Sequence, residues 1–306
     1  MNSSYNAKTL IDISEEFIIW QESVRNLSKN SVIAYENDLK TLTSFFNDSI
    51  FIKDISLQDL RSCISKLSKA KKAATSINRF ISAVRSLFLY AHRLGYIDVN
   101  VALGLKNVKV PQKVPAFMTQ TEVNAMCDEP EKNEILWQER DSALFEMMYS
   151  SGCRVSEMAS LKMTDFSADY TSAKIRGKGN KDRRVFFSDN AVNALKKYLL
   201  VRKAVVVQDK IVHQVFLNQK GKALTAHGIR YIIARYSSVE GTNKPVTPHA
   251  FRHTFATSLL SNGADVRIVQ ELLGHASIST TQRYTHVTTE QLIKMYNRSH
   301  PHGSGE

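Results

Sequence analysis

The stretch from Pro248 to Tyr284 concentrates side chains that suit chemistry on a phosphodiester. It holds His249, Arg252, His275 and Tyr284. Attack on a phosphodiester adds negative charge to the non-bridging oxygens, and without a metal that charge must be stabilised by fixed cations. A tyrosine hydroxyl can serve as the nucleophile once it is deprotonated or surrounded by cations. The stretch therefore indicates metal-independent cutting and rejoining of DNA strands.

Two arginines are the candidate phosphate ligands. Arg252 lies in this stretch, and Arg154 follows Gly152 and Cys153 earlier in the chain. Arginine suits the task because it is always charged and presents a planar fork to two oxygens. A single arginine more often forms a structural ion pair, but two arginines together with the histidines and the tyrosine favour a catalytic role. Glu157, three residues after Arg154, is predicted to orient that arginine.

The histidines supply hydrogen bonds and proton handling near neutral pH. His249 and Arg252 are three residues apart, so they share a face of one predicted helix. His275 comes directly after Gly274, which is predicted to end a helix. His249 and His253 are four residues apart, a spacing that also occurs in zinc sites. The metalloprotease glutamate and an obvious third ligand are missing from the sequence, so we predict no metal.

Tyr284 is the candidate nucleophile, although a lone tyrosine at helical spacing more often belongs to a core. A phosphotyrosine would conserve the energy of the broken bond for rejoining. The leaving sugar oxygen needs a proton, and Lys178 at the tip of a predicted hairpin can supply it. Lys181 is the alternative donor, and either lysine could be a simple phosphate contact. The hairpin strands are predicted within residues 173–177 and 184–187, because turn-forming residues separate two β-prone runs.

The elements that position these residues are predicted to be mostly helices. Residues 1–107 are predicted to form an N-terminal helical DNA-binding domain, and residues 108–118 a linker, since Pro111 and Pro115 lie in a short basic stretch. Residues 119–298 are predicted to form the catalytic domain, and residues 299–306 a flexible tail. The predicted fold class is mainly α with a small β-sheet, that is, α+β.

Bulk properties agree with a nucleic-acid partner. The formal net charge is +12 and the sequence pI is about 9.5, which favours a polyanionic partner. A solvated lysine face explains the cations of the first domain equally well. No membrane span, signal peptide or disulfide framework is predicted, and we expect a reducing cytoplasm. The candidate DNA contacts are Lys66, Lys69, Lys71, Lys72, Arg79, Arg85, Lys181 and Arg183.

At these motifs the chain resembles the tyrosine site-specific recombinases, also called the phage integrase family, and within it the Xer type. The family signature consists of an arginine, a lysine, a His-x-x-Arg pair, a histidine or tryptophan, and a tyrosine. All of these positions are filled in family order. They are Arg154, Lys178, His249, Arg252, His275 and Tyr284.

The resemblance implies a SAM-like core-binding domain and a catalytic domain that form a C-shaped clamp around duplex DNA. It implies a homo- or hetero-tetramer on inverted-repeat half-sites, a 3′-phosphotyrosine, a Holliday junction and no cofactor. The final helix, residues 288–298, resembles a segment that is exchanged between subunits, although packing within its own chain fits its apolar residues equally well. A DNA translocase is a further expected partner.

Two features of the sequence indicate which type of tyrosine recombinase this chain resembles. The first predicted helix begins near the chain start, and the region before His249 is short, so a compact Xer-like enzyme that resolves chromosome or plasmid dimers in the nucleoid is favoured. An integrase or transposase of a mobile element is the alternative. A type IB topoisomerase shares the catalytic residues, but the basic helical N-terminal domain and the last apolar helix favour recombination. A non-enzymatic DNA-binding protein is less favoured because the catalytic set is complete.

Overall fold

The computed structural model describes residues 8–25, 27, 29–110, 118–133, 135–177, 182–205, 212–237, 246–274 and 289–302. The chain divides into two compact units, Met1–Lys113 and Val114–Glu306. Over the described residues the fold is mainly α-helical with one two-stranded antiparallel sheet, which confirms the predicted fold class. Among these residues, no helix has both the length and the apolar character needed to cross a bilayer.

Over its described residues, the first unit contains four α-helices and two short 3-10 turns. The helices are α1 (Leu10–Ser23), α2 (Lys29–Thr43), α3 (Leu57–Lys69) and α4 (Ala74–Arg93), and the turns are Ile52–Asp54 and Val101–Gly104. Thr9 and Ser56 begin α1 and α3 through capping boxes, which satisfy backbone donors that would otherwise lack partners. The apolar stripe of α4, including Ile81 and Phe88, is fully buried in the core of this unit.

Over its described residues, the second unit contains eight α-helices, one hairpin and a short 3-10 turn at Met163–Asp165. The elements are α5 (Gln120–Lys132), α6 (Gln138–Ser151), α7 (Val155–Ser160), β1 (Ser172–Arg176), β2 (Asp182–Phe186), α8 (Asp189–Val205), α9 (Ala226–Tyr236), α10 (Pro248–Ser261), α11 (Val266–Leu273) and α12 (Thr289–Ser299). Helix α6 is buried on nearly all sides and packs against α5, α8 and α10. It forms the central element on which the site is built.

Caps and glycines set where the site-bearing helices begin and end, as the sequence predicts. The side chain of Thr247 accepts a hydrogen bond from the N–H of Ala250, with Pro248 in the first turn of α10. The side chain of Asp265 begins α11 in the same way. Gly152 ends α6 and Gly274 ends α11, both with left-handed backbones at φ 57° and 64°, a conformation that glycine adopts without a steric cost.

The hairpin is antiparallel, with Arg176 opposite Asp182 and Ile175 opposite Arg183. The predicted strand pairing is therefore confirmed, although β2 begins at Asp182 rather than at residue 184. The turn residues 178–181, with the candidate donors Lys178 and Lys181, lie outside the described residues.

The three cysteines form no disulfide bonds. Cys63, Cys127 and Cys153 are all free and buried. Burial raises the pKa of the Cys153 thiol to about 11, so this neighbour of Arg154 is uncharged at neutral pH.

Helix α12 packs against the core of its own chain. Tyr296 is 2% exposed and lies in a cluster with Phe186 and Phe255. The side chain of Asn262 donates to the carbonyl of Ser299 at 2.8 Å. In the single chain, this helix therefore packs on the second unit's own core.

The expectation of a flexible tail from residue 299 onward is wrong for its first residues. His300 is 4% exposed, and its ring stacks on that of Tyr296 at a centroid distance of 5.0 Å. His302 lies edge-on to Tyr149. Contacts of the histidine rings with Tyr296 and Tyr149 hold residues 300–302 in place. The polar sequence of these residues does not predict such contacts. Residues 303–306 lie outside the described residues.

Candidate active site

Arg154 is the N-cap residue that directly precedes α7, two residues after the turn at Gly152. Its backbone N–H donates to Oε2 of Glu157 at 2.7 Å, and its Nη1 donates to Oε1 at 2.9 Å. Its Nη2 reaches the carbonyl of Gly274 at 3.4 Å. The side chain is 33% exposed, so the guanidinium is held in place while part of it remains accessible to a ligand.

Arg252 projects from α10 and connects two turns of the chain. Its Nη1 donates to the carbonyl of Gly152 at 2.8 Å, and its Nη2 donates to the carbonyl of Leu273 at 2.6 Å. Burial, followed by the positive charges of Arg154 and Arg183, lowers the pKa of Arg252 to about 10. A group whose positive charge is disfavoured in this way would gain from a bound anion.

Arg183 is placed differently from the sequence prediction, which assigned it to DNA contact. Its side chain is only 11% exposed. Its Nη1 and Nη2 donate to the two oxygens of Glu157, both at 2.9 Å, and its Nε donates to the carbonyl of Leu272 at 3.0 Å. Each of its three nitrogens therefore has a protein partner. The structure corrects the assignment, because the guanidinium lies inside the fold rather than on a surface that faces a ligand.

Three guanidinium groups donate hydrogen bonds to the carboxyl end of α11. The consecutive carbonyls of residues 272, 273 and 274 accept hydrogen bonds from Arg183, Arg252 and Arg154, respectively. The last carbonyls of a helix lack intrahelical partners and carry partial negative charge. Helix α11 therefore ends in a scaffold that brings arginines from β2, α10 and the start of α7 to one place.

Glu157 is the one acidic member of this arginine cluster, which we define as Arg154, Arg183, Arg252 and Glu157. Its side chain is 5% exposed. Burial alone would raise the pKa of Glu157, but the hydrogen bonds from Arg183 and Arg154 outweigh burial and hold the pKa below its usual value. Three guanidinium charges against one carboxylate leave two positive charges among these four side chains.

The remaining predicted catalytic residues are only partly within the described residues. His249 lies exposed in the first turn of α10. Lys178, His275 and Tyr284 lie outside the described residues, although His275 directly follows Gly274 in the chain. No group of three or more histidine, cysteine or acidic residues suited to a metal occurs in the described part of the chain.

The predicted DNA contacts of the first unit fall into two classes. Lys69, Lys71 and Lys72 are exposed, and so is Lys66, whose Nζ lies 5.2 Å from the ring centroid of Phe45. These four lysines lie on the end of α3 and in the following turn. They remain candidates for contact with phosphates.

The two arginines of α4 have internal partners. Nε and Nη2 of Arg79 donate to the carboxylate of Asp38 at 2.8 and 3.0 Å, and this carboxylate is 8% exposed. Arg85 donates to the carbonyl of Leu105 and to the side chain of Asn107. Arg79 therefore has a structural role, since the buried carboxylate of Asp38 requires a partner, although the side chain of Arg79 is 56% exposed.

One signal for the placement of Arg183 was present in the sequence. Side chains alternate across a strand, so Arg183 shares a face of β2 with Val185. Val185 is 1% exposed, and Ile175, the residue opposite Arg183, is 4% exposed. An arginine on the apolar face of a strand needs an internal partner, and Glu157 is that partner.

Comparison with known proteins agrees with this geometry over both units. Residues 116–291 match the Phage integrase family, and residues 15–95 match the Phage integrase N-terminal SAM-like domain. The chain is 41% identical over 302 residues to tyrosine recombinase XerC of Treponema denticola, covering 95% of this chain and 99% of that protein. It is 38% identical over 301 residues to tyrosine recombinase XerC of Leptospira interrogans, covering 97% and 96%.

Solved structures share the fold at low sequence identity. The Tn1549 transposon integrase in complex with circular intermediate DNA has a TM-score of 0.73 at 20% identity, covering 93% of this chain and 98% of that chain. A lambda integrase tetramer bound to a Holliday junction has a TM-score of 0.70 at 18% identity, covering 92% and 82%. These similarities establish the architecture on which the arginine cluster is built.

Proposed function

The chain belongs to the phage integrase family of tyrosine site-specific recombinases, and from that premise we propose that it is an Xer-type enzyme that resolves chromosome or plasmid dimers. The family resemblance read from the sequence is confirmed. Similarity to XerC proteins over nearly the whole chain supports the Xer role.

One observation carries the proposed reaction, namely the arginine cluster at the end of α11. Arg154 and Arg252 are fixed by carbonyls of the same helix end, and the cluster retains excess positive charge. We assign the scissile phosphate to these two arginines. Pre-positioned cations stabilise the charge that develops on the non-bridging oxygens without reorganising during the reaction.

Other residues supply the nucleophile and the protons. The phenolic oxygen of Tyr284 attacks phosphorus, the bond to the 5′ oxygen breaks, and a 3′-phosphotyrosine forms. Lys178 gives its proton to the departing 5′ oxygen, and Lys181 is the alternative donor. His249 and His275 donate hydrogen bonds to the phosphate or handle the phenolic proton. In the second half of the reaction, a 5′-hydroxyl of the partner strand attacks the phosphotyrosine and releases Tyr284.

We also propose the partners that such a reaction requires. They are duplex DNA with inverted-repeat half-sites and a homo- or hetero-tetramer that holds two such sites through a Holliday junction. The exposed lysines of the first unit would bind the DNA backbone. The clamp shape, the exchange of α12 between subunits, activation by a DNA translocase and location at the nucleoid stay predictions.

The test begins with a DNA site chosen by the protein itself. The Tyr284→Phe variant would select bound duplexes from a random pool, and the wild-type chain would then be incubated with a nicked version of the selected site. We expect a covalent adduct on denaturing gels with the wild-type chain, and only reversible binding with the variant. An adduct formed by the Tyr284→Phe variant would contradict the assignment of the nucleophile.

A second assay separates recombination from relaxation. Plasmids with two copies, one copy or no copy of the selected site would be incubated with the wild-type chain. An Xer-type enzyme should change plasmid connectivity only when two sites are present. Relaxation of supercoils that does not depend on the site would instead favour a topoisomerase.

A further inference from the structure

We propose that Arg183 is a positioning residue for strand cleavage, which sets how much of the Arg154 guanidinium remains free for the scissile phosphate. The proposal rests on the function proposed above and goes beyond it, because Arg183 does not belong to the set of catalytic residues. Arg183 would act through its neighbours and would not itself contact the DNA.

The first argument concerns competition for one carboxylate. Oε1 of Glu157 accepts hydrogen bonds from Nη1 of both Arg154 and Arg183 at 2.9 Å. Oε2 accepts from Nη2 of Arg183 and from the backbone N–H of Arg154. The paired, fork-to-fork contact with Glu157 is therefore made by Arg183, whereas the side chain of Arg154 makes one bond to Glu157 and one, at 3.4 Å, to the carbonyl of Gly274. This division leaves those N–H groups of Arg154 that face neither Glu157 nor Gly274 available to a phosphate.

The second argument concerns burial. The side chain of Arg183 is 11% exposed, and that of Arg154 is 33% exposed. Without Arg183, the buried Glu157 would keep Arg154 as its only guanidinium partner within the cluster. A buried carboxylate demands compensation, so the fork of Arg154 would turn inward to provide it. Arg183 thus supplies the positive charge that Glu157 requires. The more accessible Arg154 can then keep its free N–H groups directed away from Glu157.

The third argument concerns the segments that Arg183 joins. Arg183 is part of β2, which begins four residues after Lys178 in the sequence. Its Nε donates to the carbonyl of Leu272 near the end of α11, two residues before Gly274 and three before His275. One side chain therefore joins β2 to Glu157 of α7 and to the end of α11. A small displacement of any of them would move a reacting group, and misplacement on the order of 1 Å can cost about 100-fold in rate.

The test compares substitutions at two neighbouring positions of β2. Arg183→Met removes the charge and the fork while it keeps much of the volume, and Arg183→Lys keeps only the charge. Arg184→Met is the matched control, because Arg184 is the adjacent residue on the opposite face of the strand and is exposed. Single-turnover cleavage of the selected nicked site would be measured at saturating protein, together with the dissociation constant for the DNA.

We expect Arg183→Met to slow cleavage by about 100-fold with little change in DNA affinity, and Arg183→Lys to fall between the wild-type chain and Arg183→Met. Arg184→Met should cleave bound DNA at the wild-type rate. Thermal unfolding of each variant would show whether it is folded at the assay temperature, and Arg183→Lys preserves the test if Arg183→Met does not fold. Wild-type cleavage rates for both Arg183 variants would overturn the proposal.

A methylphosphonate at the scissile position provides a readout that a purely structural role would not change. This substitution removes one negative charge from the reacting centre, so cleavage depends less on the arginines. If Arg183 acts by positioning Arg154, the defect of Arg183→Met should shrink about tenfold on this substrate. An equal defect on both substrates would overturn the positioning role, whereas a wild-type chain that forms no adduct on either substrate would instead refute the proposed function.

Discussion

A Cβ atom on Gly274 would lie 2.9 Å from Cδ of Arg183, so the arginine occupies the space that a side chain at position 274 would need. Gly274 also has a φ of 64°, which favours glycine on its own account. The same glycine offers its carbonyl to Arg154. One residue without a side chain therefore allows a helix end to approach two arginines at once.

Replacement of this glycine should separate backbone strain from crowding of the arginine. We expect Gly274→Ala to lower the free energy of unfolding and also to slow DNA cleavage, because Arg183 must move. Gly263→Ala is the control, since Gly263 has a φ of 84° and a Cβ there would meet nothing within 4 Å. Both variants should lose about 1–2 kcal/mol from the left-handed backbone, as measured by urea unfolding. Equal cleavage rates for the two variants would show that the contact with Arg183 has no role.

Arg252→Lys should test the bridge between the turn at Gly152 and the end of α11. A lysine keeps the charge but cannot donate at once to the carbonyls of Gly152 and Leu273. We expect cleavage of the bound site to fall by about 100-fold or more, with a smaller loss of DNA affinity. Single-turnover cleavage and equilibrium binding would be measured on the same duplex. A lysine variant with wild-type cleavage would mean that charge alone suffices at this position.

The beginnings and ends of the helices around the site could be predicted from local sequence signals. The caps at Thr247 and Asp265 and the helix ends at Gly152 and Gly274 depend on residues within a few positions of one another, so their chemistry is visible in the sequence. The candidate catalytic positions followed from motif spacing.

The contacts that organise the arginine cluster were not predictable in this way. Arg183 and Glu157 are 26 positions apart, and Arg183 and Leu272 are 89 positions apart. Such partners are set by tertiary packing, so a basic residue beside a hairpin turn was read as a DNA contact. The ion pair of Arg79 was not predictable for the same reason, because its partner Asp38 lies 41 positions away.

Glu157→Gln should change the acid sensitivity of the second unit. The pKa of Glu157 in the folded chain is lowered from 4.5, so its ionised form stabilises the fold fully above that pH. As the pH falls below about 4.5 and through the folded pKa, that stabilisation is lost. Urea unfolding should therefore show the wild-type chain to be more stable than Glu157→Gln at pH 7, with a difference that narrows below pH 4.5. A constant difference would indicate that the carboxylate charge does not contribute.

His300 should make the docking of the C-terminal segment sensitive to mild acid. Burial, followed by the charge of His302, lowers the pKa of His300 to about 3, and its Nδ1 accepts a hydrogen bond from the backbone N–H of His302 at 3.1 Å. The folded chain therefore keeps this ring neutral, while the unfolded chain binds a proton below about pH 6.5. Stability must then fall as the pH drops below 6.5, because the unfolded state holds more protons.

His300→Phe keeps an aromatic ring but cannot titrate. From pH 7 to about pH 5.5, we expect the wild-type chain to lose about 1 kcal/mol more than this variant in free energy of unfolding. Urea unfolding at the two pH values measures the difference, and His302 remains in both proteins as an internal control. The same loss in both proteins would place the acid-sensitive group elsewhere.

The exposed lysines and the paired arginine of the first unit should respond differently to salt. Each phosphate contact that is lost reduces the slope of log K against log salt by about 0.9. For the double variant Lys69→Gln and Lys72→Gln, the slope of log K against log salt on the selected duplex should therefore decrease in magnitude by up to about 2. Arg79→Gln should leave that slope unchanged and lower the stability of the protein instead, because Asp38 would remain buried without its partner. A reduced slope in Arg79→Gln would show that this arginine exchanges Asp38 for a phosphate when DNA binds, whereas an unchanged slope in the lysine variant would leave those lysines as a solvated surface.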